Sequence, residues 1–382
     1  MIIYLSHPFK TLLLNLRLIL PKERSVKMLQ NARKRRRDHN IEKIRQMINI
    51  AYYPGYRVYL QNQGFNINHP LNLTGNLDKW AALKQFLEER NISINTYDMY
   101  QDFKKIDIWL IEDAVPDRFK FLLKHCINPR SIIFMLMEPP VVNPWGWRYL
   151  KYYSCLFKAI LTWNSELTQK HKKFFHYHFP QRFDRSKHSY YNSKRKRNLC
   201  VMVHSNKLSS VPGELYSFRR DIIRYFEKRG DSLLELYGYG WNDEKSSTPF
   251  FTNLYKGTTP DKKETFSEYY FTFCIDNSVV PGYITYDPLI AMSTGSVPIY
   301  LPMPDSLKYI PGNTFININD FSTLDELVLY LQDIINTNRY EEYRHNGWEF
   351  INSERYFPFT IEKFCEDIFK AISILTTTCF RF

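Results

Sequence analysis

Glu138 closes the apolar run at 131–137 ("SIIFMLM") and is followed at once by Pro139 and Pro140. Two prolines stop a strand, so this carboxylate is expected to project from a rigid turn at a domain edge. An acid beside apolar walls has its pKa raised, which suits a general base drawing a proton from a hydroxyl; the alternative is an ordinary strand-end carboxylate. A second constellation lies in "YFTFCIDNSVVPGYITYDPLIAMSTG" at 270–295. Asp276 and Asn277 stand at the carboxyl end of a strand, and Gly282 lets the chain approach a ligand closely. Tyr286 and Asp287 sit where a helix starts, and backbone N–H groups at such a start suit phosphate oxygens. Arg219 and Arg220, in the helical "FRRDIIRYF", are placed to reach the same cleft or to stay solvated. A guanidinium fork matches a diphosphate.

Other chemistries have no carriers. The chain contains no D-x-D, no G-x-x-x-x-G-K-[ST], no G-x-S-x-G and no H-E-x-x-H. Gly238 and Gly240 in "YGYGWND" form a two-glycine turn after a strand, a weak signal alone. His176 and His178 alternate in "FFHYHFP" and share a face if that segment is extended. With no third ligand in view they are expected to be surface or structural residues.

These groups need a scaffold, and the periodicity supplies one. Short apolar runs at 48–53, 92–98, 106–112, 131–138 and 158–163 predict strands, with a helix over 77–91 presenting Trp80, Leu83, Phe86 and Leu87 on one side. After the polar stretch 183–198 the pattern restarts. Strands are predicted at 199–204, 233–238, 270–275, 297–301 and 314–319, and helices at 214–230, 324–335 and from 360 to 375. The expected organisation is a basic N-terminal arm (1–47), one α/β domain (48–182), a linker (183–198), a second α/β domain (199–359) and a C-terminal helix and tail (360–382). Two such domains place a ligand cleft between them, at the carboxyl ends of strands.

The net charge of +13 is concentrated at one end. Residues 1–50 hold twelve Lys and Arg against three acids, including the run Arg33 to Arg37. The first twenty residues are apolar but broken by His7, Pro8, Lys10 and Arg17, which fits neither a spanning helix nor a cleaved leader. An apolar stretch before a dense positive arm suits an anionic membrane surface; the alternatives are a solvated extension or nucleic-acid contact. No specific nucleic-acid recognition is expected, because no recognition motif accompanies the arm. The six cysteines show no paired spacing, and Cys126, Cys155, Cys200, Cys274 and Cys365 lie within or beside apolar runs. Reduced core thiols are expected of them, with a disulfide as the alternative.

The stretches "SNKLSSVPGELYSFRRDIIRYFE", "LYGYGWND", "YYFTFCIDNSVVPGYIT", "TGSVPIYL" and "FININDF", in that order, resemble the α1,3/4-fucosyltransferase family. "EPPVVNP" and "LTWNSELTQKHKKFFHYHFP" are similar to that family's acceptor-side domain. The resemblance covers roughly 48–370. It implies a GT-B fold, two Rossmann-like α/β domains facing a central cleft. It also implies inverting transfer of fucose from GDP-fucose to a GlcNAc-containing glycan without a bound catalytic metal. The nucleotide sugar is then a co-substrate, and no other cofactor is expected. Glu138 resembles the acid proposed as general base, and Arg219 the arginine that pairs with the donor diphosphate. Asp276, Asn277, Tyr283 and Thr285 fall on donor-binding positions, Asp276 standing for a usual Glu. The family's loop reads Y-[IV]-T-E-K, whereas Tyr286 and Asp287 occupy its last two positions here. An anion beside a diphosphate is unfavourable unless Lys256, Lys262 or Lys263 fills the gap. The departure leaves open another nucleotide sugar, or a non-catalytic glycan-binding relative. The expected setting is cytoplasmic or peripheral membrane, or Golgi membrane in a eukaryote.

Overall fold

The computed structural model describes residues 47–72, 75–183, 198–303, 305–337 and 339–379. Residues Asn49–Thr378 form one compact unit, and it carries everything that follows. The basic arm 1–46 lies outside the described residues, as does most of the expected linker, 184–197.

The first half alternates strands and helices: β1 (Ile48–Tyr53), α1 (Asp78–Glu88), β2 (Ile92–Thr96), β3 (Ile108–Glu112), α2 (Pro116–Lys124), β4 (Ile132–Leu136), α3 (Pro144–Tyr153), β5 (Ala159–Thr162), α4 (Ser165–Lys170) and β6 (Phe174–His176). The second half runs β7 (Asn198–Val203), α5 (Tyr216–Arg229), β8 (Leu234–Tyr237), α6 (Lys262–Ser267), β9 (Tyr269–Cys274), α7 (Asp287–Ser293), β10 (Val297–Tyr300), β11 (Ile316–Asn317), α8 (Leu324–Ile335), α9 (Arg339–Asn352) and α10 (Ile361–Cys379). The strands form two sheets, ordered β2-β1-β3-β4-β5-β6 and β11-β10-β9-β7-β8. Strands β1, β3, β4, β5 and β6 pair in parallel along the first sheet, as do β11, β10, β9, β7 and β8 along the second. Helices on both faces explain why β3 and β4 are buried along their whole length, whereas edge strand β2 alternates. The order reverses between β1 and β3 and again between β7 and β9. Open α/β sheets bind ligands at such points.

Helix starts follow local chemistry. Pro116 and Pro144 occupy the first turns of α2 and α3, where a missing N–H costs nothing. Asn143, Asn164 and Thr323 cap α3, α4 and α8 by accepting the backbone N–H of Gly146, Leu167 and Glu326. The last helix returns to the first domain: Phe364 of α10 packs edge-on against Trp80 of α1, and Phe369 against Phe86. The hydroxyl of Tyr356 donates to the Gln181 carbonyl and fixes this crossing.

Some expectations need correcting. The strand expected over 314–319 shrinks to Ile316–Asn317, because the Asn317 side chain accepts the Asn319 N–H and turns the chain. Helices α2, α3, α4, α6 and α9 and the short strand β6 were not foreseen. Asn198, placed in the linker, begins β7. Cys126 and Cys155 are exposed rather than core residues, since each falls at a turn after a helix, whereas Cys200, Cys274 and Cys365 are buried free thiols.

Candidate active-site cleft

The carboxyl ends of both sheets open onto one cleft of about 760 Å³. Eight of the residues singled out from the sequence line it: Glu138, Arg219, Asp276, Asn277, Tyr283, Thr285, Tyr286 and Asp287. Arg220 does not. It donates to Asn206 and the Thr248 carbonyl on the far side of α5.

On the first domain's side, three acids gather where β3 and β4 end. Glu112 is buried, and its carboxylate accepts the Tyr52 hydroxyl and the Gly55 N–H, both at 2.5 Å. Asp113 adopts a left-handed backbone (φ 51°), and its Oδ1 accepts the N–H groups of Met137 (2.9 Å) and Glu138 (3.0 Å). That pair of bonds fixes the turn carrying Glu138. Trp163 and Trp147 brace it by donating to the carbonyls of Met137 (3.0 Å) and Glu138 (2.8 Å). Burial raises the Glu138 carboxyl pKa; Lys207 opposes the shift and Glu112 adds to it. Burial pushes Asp113 up to about 7. Across from them Lys79, lowered to about 8 by burial, donates to the Asn76 carbonyl. Sequence reasoning missed Glu112, Asp113 and Lys79. The acids in "LIEDAVPD" offered a signal, a carboxylate pair at a strand end.

On the second domain's side, α5, α7 and the ends of β7 and β9 supply the groups. Arg219 is buried, and its guanidinium donates twice to the Ile275 carbonyl (2.9 and 2.5 Å). It thereby anchors the strand end before Asp276. Asp276 accepts the Thr285 hydroxyl at 2.5 Å, and burial pushes its carboxyl up to about 7. Asn277 lies against the hydroxyls of Tyr216 and Tyr283. Three buried polar atoms on this wall have no protein partner: Asp276 Oδ2, Asn277 Oδ1 and His204 Nε2. An unpaired buried polar atom costs about 1–3 kcal/mol. A ligand with hydroxyls and ring nitrogens would relieve it.

Two glycines make the close approaches. Gly238 (φ 137°) follows β8, and a Cβ there would sit 2.0 Å from the His204 carbonyl oxygen. Gly282 (φ 82°) presses on the other domain: a Cβ would sit 2.2 Å from the Trp163 oxygen and 2.7 Å from the Ser165 nitrogen. Its N–H donates to Asp305 at 2.7 Å, and next to it the Tyr283 ring lies 4.6 Å from Trp163.

The altered loop has a partner. Lys262, at the start of α6, donates to both carboxylate oxygens of Asp287 (2.8 and 3.0 Å). Burial works against the amine's charge, but Asp287 with Tyr286 and Cys274 together outweigh it and the Lys262 pKa rises. Asp287 opens α7 without capping it, and Pro288 behind it has no N–H to offer a phosphate. Tyr286 lies beneath Lys262 (5.7 Å from the ring centre) and takes a hydrogen bond from Asn76 across the cleft. His176 and His178 lie outside the cleft, packed with Tyr309 between the domains. Among the described residues no group of three or more His, Cys, Asp or Glu is placed to hold a metal ion.

Residues 193–369 match the family model for the C-terminal part of glycosyltransferase family 10 (fucosyltransferase). The α-(1,3)-fucosyltransferase FucT of Helicobacter pylori is 32% identical over 72 residues, 19% of this chain and 15% of that protein. The α-(1,3)-fucosyltransferase B of Drosophila melanogaster is 33% identical over 108 residues, 27% of this chain and 23% of that one. The matches thus span less than a quarter of those relatives' lengths. The crystal structure of an α1,3-fucosyltransferase with GDP-fucose superposes with a TM-score of 0.52 at 15% identity, covering 85% of this chain and 90% of that one. That likeness establishes the two-domain GT-B fold.

Proposed function

Because this chain belongs to glycosyltransferase family 10, we propose that it transfers fucose from GDP-fucose to a hydroxyl of a GlcNAc-containing glycan, with inversion and without a catalytic metal. The observation that carries the reading is the convergence of eight of the expected residues on one cleft, the Glu138 acid on one wall and Arg219 and Asn277 on the other. In this reading the Glu138 carboxylate takes the proton of the acceptor hydroxyl while that oxygen attacks the anomeric carbon. The bond from that carbon to the phosphate oxygen breaks, and GDP leaves with the electron pair. Arg219 and Lys262 offset the charge growing on the diphosphate. Asp276 Oδ2 and Asn277 Oδ1 accept hydroxyls of the donor, and Tyr283 and Tyr286 wall the sugar.

A second reading, another nucleotide-sugar donor, is favoured by Tyr286, a phenol where the resemblance implies a carboxylate. The arm 1–47 is proposed to meet an anionic membrane surface. Calorimetry with GDP, GDP-fucose and other nucleotide sugars tests the donor. Turnover of GDP-fucose on N-acetyllactosamine-type acceptors tests the reaction. Failure of a folded sample to bind GDP and GDP-fucose would remove the fucosyl reading, and binding without turnover would favour a non-catalytic relative. Glu138→Gln is expected to abolish turnover, by at least about 100-fold, and to leave GDP binding within about threefold.

A further inference from the structure

The near balance of charge outside the N-terminal arm conceals an asymmetry. Residues 116–173 carry ten Lys and Arg against three acids, Asp117, Glu138 and Glu166. Glu138 and Arg118 both face the cleft, so outside it this stretch has nine cations and only two carboxylates. Both are already engaged, Asp117 by Lys120 (3.0 Å) and Glu166 by Lys170 (3.1 Å). Helices α2, α3 and α4 follow β3, β4 and β5, which neighbour one another in parallel, so right-handed crossovers set the three side by side on one sheet face. Phe119 of α2 packs on Trp145 and Tyr153 of α3, each at 5.4 Å, and Leu167 of α4 joins the same core.

The outward side of this layer is apolar at its tips. Leu123 is 78% exposed, Tyr152 62% and Leu156 52%, with Tyr149 half-exposed beside them. Cations flank the rings: Lys151 lies 4.8 Å from the centre of Tyr152, and Arg148 5.9 Å from that of Tyr149. Exposed leucine and tyrosine tips ringed by Lys and Arg match the boundary between headgroups and acyl chains, where amphipathic rings settle and each cation gains from anionic lipid. A nucleic-acid surface would use the cations but leave the leucines in water.

We propose that the outer faces of α2, α3 and α4 form a docking surface for an anionic lipid bilayer, separate from the basic arm. The surface belongs to the first domain, so docking holds that wall of the cleft, with Glu138, near acceptors carried on the same membrane. The test uses the full chain and flotation with vesicles of about 30% phosphatidylglycerol in phosphatidylcholine, at about 0.1 M salt. Leu123→Ser, Tyr152→Ser and Leu156→Ser together should lower vesicle partitioning by about 10- to 100-fold with an unchanged melting temperature. Arg148→Glu with Lys151→Glu should lower it at least about tenfold. Alkylation of the exposed Cys155, read by peptide mass spectrometry, should slow with these vesicles and not with pure phosphatidylcholine. Full partitioning by both sets of variants, with loss only when Arg33–Arg37 are neutralised, would overturn the proposal and leave binding to the arm. Binding to an oligonucleotide but to no vesicle would overturn it in favour of nucleic acid.

Discussion

Lys262 is the residue on which the altered loop depends, and replacing it separates two roles. In the first it merely neutralises Asp287; in the second it also supplies the cation that meets a diphosphate. The pair is largely enclosed, its side chains 21% and 10% exposed, with two N–H···O contacts of 2.8 and 3.0 Å. Removing one partner of a buried pair costs about 3–5 kcal/mol, and the remaining exposure argues for the lower end, about 3 kcal/mol for Lys262→Met. Adding Asp287→Asn removes the stranded charge and should restore most of the melting temperature. Binding should behave differently. A cation about 4 Å from a phosphate is worth up to about 4 kcal/mol at an effective dielectric of about 20, and neighbouring Asp287 cancels part of that. A loss of about 2 kcal/mol, near 30-fold in GDP affinity, is expected in the stability-restored double variant. The single variant should lose more, because Asp287 then faces the diphosphate alone. The exchange Lys262→Asp with Asp287→Lys should keep GDP affinity within about tenfold, since the cation only changes strands of chain. Calorimetry with GDP reads all three. Recovery of wild-type affinity in the Lys262→Met, Asp287→Asn protein would refute the reasoning and confine Lys262 to a structural role.

Three further outcomes follow from the same geometry. Burial holds the Asp276 carboxyl at about 7, so the folded state keeps a proton the unfolded chain has released. Its contribution is therefore present below the unfolded value and lost as pH rises through about 7, a cost of about 4 kcal/mol when complete. Asp276→Asn should raise the melting temperature at pH about 8 and much less at pH about 5; an equal change at both would contradict this. Gly282→Ala puts a methyl into the Trp163 and Ser165 backbone at a positive φ, costing about 2–4 kcal/mol. It should weaken GDP binding by displacing Asn277 and Tyr283, and an unchanged affinity would show the loop free of that contact. Burial lowers the pKa of His176 and His178, with Asp305 opposing and Lys363 reinforcing the shift at His176, and His176 and Lys363 reinforcing it at His178. Neutral forms are favoured, so their contribution is present above about 6.5 and lost as pH falls, by up to about 1.4 kcal/mol per pH unit each. His176→Gln with His178→Asn should flatten the fall in melting temperature between pH about 6.5 and 5, and a parallel curve would count against it.

Legibility in the sequence followed the physics of each element. Buried parallel strands such as "IDIWLIE" and "SIIFMLME" announce themselves as continuous apolar runs, and α8 was bounded correctly because Thr323 caps it. Helix α9 was not legible. Its sequence, "RYEEYRHNGWEFIN", buries only Tyr340, Gly347, Phe350 and Ile351 and offers no clean apolar period. In the cleft, the residues at strand ends were readable, whereas those brought in by tertiary packing were not. Glu112 lies at the end of a strand but is recognisable as part of the site only once Tyr52 and Gly55, some 60 positions away, close on it. Lys262 was one of three lysines able to fill the gap, and only the fold selects among them. The sequence misled where a side chain's direction decides, as with Arg220, adjacent to Arg219 yet turned toward Asn206.

The electrostatics of the cleft explain how "YD" is tolerated. Asp287 places an anion on the wall where a diphosphate would lie, but Lys262 holds both of its oxygens, so the pair contributes little net charge at distance. Asp276, the other acid on that wall, is held near 7 by burial and is partly protonated at neutral pH. Arg219 is therefore only partly compensated, and that wall keeps a net positive character despite its two aspartates. The opposite wall carries Glu112, Asp113 and Glu138, with Asp113 also held near 7; in the proposed reaction this wall would receive the proton of the acceptor hydroxyl. A cleft positive on one side and basic in the Brønsted sense on the other suits transfer from a diphosphate sugar to an alcohol. Moving a lysine from α7 to α6 preserves that division. The exchange variant is its sharpest test, because it alters the position of the charge while keeping its sum.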